Sequence, residues 1–188
     1  MEELKIILAS SSPRRFKILK EMGLEFEVIP SDYDETIDDC NFSYEKIEEL
    51  AYNKAKAVLN RVSGQCVILG ADTVVVLEDK ILGKPNDEKD AKSMLKKLSG
   101  KKHSVVTSIC VINTVTFSKK ILSTTSYVEF NELTEDTIKD YIKKYNPLDK
   151  AGSYGIQELP ENFVKNIEGS FENIIGLCPS AVTEILKK

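Results

Sequence analysis

The residues best placed for chemistry begin at Ile7–Leu19, which reads ILASSSPRRFKIL. Ser12 and Pro13 are a cap and first position for a helix. Arg14 and Arg15 then fall in its opening turn, where each exposed cation opposes the helix dipole by about 0.3–1 kcal/mol. At about 100° per residue, Arg15 shares a face with Ile18, Leu19 and Met22, while Lys17, Lys20 and Glu21 lie opposite. A cation on an apolar stripe is costly unless an anion joins it. The serine turn would add backbone donors for such an anion. The other reading is that Arg15 reaches an internal carboxylate.

Lys54 repeats the pattern. The helix starting near Ser43 has an apolar stripe of Ile47, Leu50, Ala51, Ala55 and Val58. Lys54 lies inside that stripe, whereas Lys56 projects away from it. Asp72 is the one acid in VILGADTVVV, and Gly70 there suggests a bulge or a close backbone approach. A buried carboxylate must be paired, hydrogen-bonded or metal-bound, unless Asp72 caps a tight turn. Lys84 in GKP is held extended by the proline after it. Asp32, Asp34 and Glu35 in SDYDE suit a hard divalent cation, or form a solvated acidic loop. Together, Arg15, Lys54 and Lys84 could cradle phosphates, and Asp72 with Glu35 could hold a metal or activate water.

The elements that must position these groups alternate. LKIILA and FEVIP read as strands flanking the first helix, and the long helix follows. CVILGADTVVVLEDKILG reads as two strands broken at Gly70, with a short return. Asn86–Leu98 is helical, HSVVTSICVIN and KILSTTSYVEF form a hairpin, and Thr134–Lys144 is helical. DKAGSYGIQELPEN is a loop and NIIGLCPSAVTEILKK a closing helix. The predicted class is α/β in a single domain over residues 1–188.

The 188 residues are 41% hydrophobic and 30% charged, enough for a real core. No apolar run approaches the roughly 20 residues that span a bilayer. MEELKIILASSS lacks the basic start of a signal peptide, so a cytoplasmic protein with no membrane partner is expected. The net charge of -4 and the absence of an aromatic platform argue against nucleic acid as a partner. Cys40, Cys66, Cys110 and Cys178 show no metal or disulfide spacing and read as reduced thiols. No P-loop, G-x-G-x-x-G or H-E-x-x-H motif is present.

The ordered set LASSSPRR, SDYDE, NKAKAV, GADTVV, GKP, MLKKLSGKKHSVVT, DKAGSYGIQ and IEGSFENIIGL resembles the Maf family of nucleoside triphosphate pyrophosphatases, over nearly the whole chain. That resemblance implies an elongated mixed sheet with two lobes and a central cleft, related to the inosine triphosphatase-like fold. It implies cleavage of a nucleoside triphosphate to monophosphate and pyrophosphate with a divalent metal, Mg²⁺ or Mn²⁺. By resemblance Asp72 is the proton acceptor, with Glu35 and Asp72 toward the metal. Ser10, Arg15, Lys54 and Lys84 match phosphate-site positions. Arg14, Thr73 and Gln157 match three positions that track substrate choice, and the trio looks like the dTTP/UTP subgroup. The Gln157 amide both donates and accepts, which suits a pyrimidine O4/N3 edge, in normal or modified pyrimidines. A tendency to dimerise is also implied. His103 opens a strand in the family motif, consistent with a structural hydrogen bond. Glu158 and Pro160 stand where the family usually has a glycine after its Y-G-I-Q motif, and Cys178 interrupts the usual G-L-P. The alternative function is a regulatory nucleotide-binding protein linked to septum formation, with little hydrolysis.

Overall fold

The computed structural model describes residues 4–33 and 40–187. A mixed seven-stranded sheet is its centre. Strands β1 (Lys5–Leu8), β2 (Phe26–Val28), β3 (Cys66–Leu77), β5 (Lys102–Asn113), β6 (Lys119–Phe130) and β7 (Val164–Glu168) lie in the order β2-β1-β3-β5-β6-β7. Strand β4 (Lys80–Leu82) pairs with β3 off that path. β1 runs parallel to β2 and β3, and the remaining pairs are antiparallel.

Side-chain alternation along β3 and β5 sorts the core into layers. Ile68, Val74, Val76, Val106, Cys110 and Ile112 face helix α2 (Tyr44–Leu59), whose stripe of Ile47, Leu50, Ala51, Ala55 and Val58 is buried as its periodicity predicts. The opposite face carries two clusters. Leu69, Ala71, Ile109 and Val111 pack under helices α1 (Pro13–Glu21) and α6 (Pro179–Leu186). Val75, Leu77, Val105, Val128 and Phe130 pack under α3 (Glu88–Leu98) and α4 (Glu135–Tyr145). The two clusters form two lobes on shared strands. Between them sit Thr73 and Thr107, joined by a 2.9 Å hydrogen bond, and near them the short helix α5 (Phe171–Ile175), whose Asn173 carbonyl accepts from Thr107.

The predicted Ser12 cap holds, and Ser43, near which a helix is expected to start, caps α2. The Ser12 and Ser43 side chains accept from the backbone N–H groups of Arg15 and Lys46. Three expectations need correction. β3 runs unbroken through Gly70, because the glycine serves a close helix approach and not a bend. α3 starts at Glu88, after Asp87 takes the cap. The closing segment holds two helices, parted at Gly176 with φ 138°, and β7 precedes them unanticipated. Among the described residues, no helix is long and apolar enough to cross a membrane. All four cysteines are free, with Cys66, Cys110 and Cys178 buried.

Candidate active site

The site begins as a gap in pairing. β1 accompanies β3 only through Leu69, and β4 joins the same edge only from Val75. Gly70–Val74 therefore has no strand partner on that edge among the described residues. A cavity of about 300 Å³ opens there. Because it lies at an edge, side chains from both faces of β3 reach it: Asp72 from the α2 face and Thr73 from the other.

Every predicted site residue but Glu35 has a definite seat. Ser10, Arg14, Arg15, Lys54, Asp72, Thr73, Lys84 and Gln157 all line this one cavity, although they span almost 150 positions in the chain. Glu35 lies outside the described residues, as does Asp34. The Arg15 side chain is buried and fixed by three contacts. Its Nε donates to the Gly176 carbonyl at 3.0 Å, one terminal nitrogen to Ser10 Oγ at 3.2 Å, and the other to Thr73 Oγ1 at 3.0 Å. Thr73 is thus the hydroxyl that orients Arg15, a role its position alone did not reveal.

Lys54 donates to Asp72 Oδ1 at 2.5 Å, with both side chains over nine-tenths buried. Gly70 explains the closeness. A Cβ there would lie 2.4 Å from the Ala51 carbonyl oxygen and 2.6 Å from the Ala55 nitrogen, so only glycine lets α2 settle on β3. The buried-pair reading of Lys54 and the paired-carboxylate reading of Asp72 are one feature. Among the described residues, no group of three or more metal-ligating side chains gathers here. Asp72 keeps one carboxylate oxygen beyond the one Lys54 holds. That suits a cation such as Mg²⁺, which takes one or two carboxylates and completes its shell with substrate phosphates and water.

The far wall was not found from periodicity. It consists of three short 3-10 turns, Pro147–Asp149, Ala151–Ser153 and Ile156–Glu158. Lys150 is buried there, with Nζ 2.8 Å from Asp149 Oδ1 and 3.3 Å from Glu158 Oε2. Asp149 also faces Arg14 at 3.7 Å. Burial would raise the Asp149 pKa, but the Lys150 hydrogen bond and the charges of Lys150 and Arg14 outweigh it and hold the carboxyl below its usual range. Residues in such turns have no 3.6-residue face to betray them. The available signal was the DKAGSYGIQ motif itself.

His103 Nε2 lies 2.8 Å from the Tyr154 hydroxyl, behind the cavity wall, as the structural reading expected. Burial lowers its pKa to about 4, against a backbone hydrogen bond at Lys101 that works the other way.

Comparisons with known proteins bear on this arrangement. Among solved structures, a Ham1 protein from Coxiella burnetii is 19% identical, with a TM-score of 0.45 over 68% of this chain and 73% of its own. A protein from Ruminiclostridium cellulolyticum named dTTP/UTP pyrophosphatase is 46% identical across 97% of this chain and 95% of its own length. One of the same name from Thermotoga maritima is 44% identical across 97% and 88%. The family model described as Maf-like protein matches residues 5–188. A match of that extent, over a sequence whose separated motifs converge on one cavity, leaves a single assignment: the chain belongs to the Maf-like protein family.

Proposed function

We propose that this chain hydrolyses UTP and dTTP, and modified pyrimidine triphosphates of the same shape, to the monophosphate and pyrophosphate. The observation that carries the reading is the charge of the cavity. Five cations and three carboxylates line it among the described residues, in a chain whose net charge is -4. A locally positive cleft concentrates and binds a polyanion. The activity named for relatives 43–46% identical over nearly their full length supports the same substrate class.

In this reading a water attacks the α-phosphorus, the bond to the α–β bridging oxygen breaks, and pyrophosphate leaves. Asp72 takes the water's proton or orients the water. Lys54 holds the Asp72 carboxylate in place throughout. Ser10, Arg15 and Lys84 bind the phosphate chain, with Arg15 aimed by Thr73 and Gly176. Gln157 and Arg14, both lining the cavity, read the pyrimidine edge. A divalent cation, held by Asp72 and by Glu35, would neutralise phosphate charge and acidify the water.

The test is pyrophosphate release from a panel of purine and pyrimidine triphosphates with Mg²⁺ or Mn²⁺. Release from UTP and dTTP well above that from GTP and ATP is the expected result. Binding without release from any nucleotide would overturn hydrolysis in favour of the regulatory reading.

A further inference from the structure

Lys150 has no part in that mechanism, yet it is a lysine only 7% exposed that lines the same cavity. Burying an ammonium is costly unless its donors are used. Asp149 accepts one hydrogen bond from it, and Glu158 faces it as an ion-pair partner at 3.3 Å. Its stem lies across Gly155: a Cβ on Gly155 would meet Lys150 Cε at 3.0 Å and Cδ at 3.1 Å. The Gly155 N–H in turn donates to the Tyr141 hydroxyl at 3.1 Å, which fixes the shelf beneath the lysine. An ammonium has three donors, so donors beyond the one Asp149 takes are left for the cavity.

The local charge decides what those donors meet. With Arg14 also facing Asp149, two cations and two carboxylates balance one another here. A phosphate oxygen gains no surplus positive charge there, whereas a neutral carbonyl or hydroxyl oxygen needs none. The neighbours agree. Tyr154, Ile156 and Gln157 follow on the same stretch, apolar and neutral-polar groups suited to a base and sugar. We propose that Lys150, gripped by Asp149 and Glu158 and laid across Gly155, is a substrate-recognition residue that donates to an oxygen of the nucleoside and not of the phosphate chain. This assignment rests on the nucleotide reading of the cavity and adds a polarity to it: phosphates toward Ser10 and Arg15, nucleoside toward the 3-10 turns.

Equilibrium titration of the full chain with UTP, UMP and inorganic tripolyphosphate tests it without requiring turnover. Lys150→Met should weaken UTP and UMP by about tenfold or more and leave tripolyphosphate within about twofold. Gly155→Ala keeps every charge, has an ordinary backbone conformation to adopt, and displaces the flexible ends of Lys150 and of its partner Glu158. It should weaken UMP in the same selective manner. Equal weakening of tripolyphosphate would overturn the proposal by placing Lys150 on the phosphates. Unchanged UMP affinity in both variants, with only a lowered melting temperature, would reduce Lys150 to a structural role and overturn it too. A wild-type chain that binds these nucleotides without releasing pyrophosphate would sink the hydrolytic reading and leave this one standing. A chain that binds none of them would sink both.

Discussion

At the scale of single residues, the Lys54–Asp72 pair has two separable consequences. Asp72→Asn should lower kcat on UTP by at least about 100-fold, the usual contribution of a positioned acid or base. Near-normal turnover in that variant would exclude both a base and a ligand role. Lys54→Met should instead cost stability, by about 3–5 kcal/mol, because it strands a buried carboxylate. Denaturant titration measures that loss. His103 gives a pH effect with a definite sign. Its folded pKa of about 4 lies below the ordinary value of 6.5, so the unfolded chain binds a proton that the folded one refuses. The stabilisation is complete above pH 6.5 and is lost as pH falls toward 4. Unfolding curves at pH 7 and 5 should therefore differ less in His103→Gln than in the wild type. Of these residues, Lys54 and Arg15 were legible as cations on apolar stripes, since a helix face is a sequence property. Lys150 was not, because its burial comes from a shelf and two carboxylates that no local period encodes. Nor was the partner of Lys54, since the pairing with Asp72 depends on how a helix and a strand cross.

At the scale of elements, that crossing is the sensitive point. Gly70→Ala would set a methyl group 2.4 Å from backbone oxygen, with no flexible side chain to yield. It should destabilise by about 1–3 kcal/mol as α2 lifts from β3. It should also lower kcat, because Lys54 rides on that helix. Thermal melting and UTP turnover on the same preparation would show the two losses together. The helices were readable from periodicity and from the Ser12 cap, and Ser43 and Thr134, read as helix starts, take the caps themselves. A glycine inside an apolar run reads equally well as a break or as a contact, and only the packed helix distinguishes them. β7 escaped notice because VKNIE is mostly exposed and lies at the sheet's edge, so burial leaves little pattern on it.

At the scale of the whole molecule, the cavity is walled by both lobes. Arg14 on α1 and Asp149 on the 3-10 turns face each other across it. A ligand that touches both walls binds only the assembled chain. Saturating UMP or UTP at about 100 times its dissociation constant should add about 2.7 kcal/mol to stability. A melting temperature unmoved by either nucleotide would contradict such binding. The mixed α/β class could be anticipated from alternating strands and helices. The sharing of long strands between two lobes could not, because pairing register is a tertiary choice.

The interruption beside β3 carries a last consequence. Interior strands ordinarily gain by being zipped along both sides, and among the described residues this one forgoes that for five residues, Gly70–Val74. Extending Lys80–Leu82 at its far end by a few residues would let it continue alongside Val74 and Thr73. The resulting chain would be sturdier and its aperture sealed. On the proposed reading of the cavity, catalytic capacity depends on two short neighbours stopping where they do, so the lengths of β1 and β4 belong to the candidate site as much as any charged group in it.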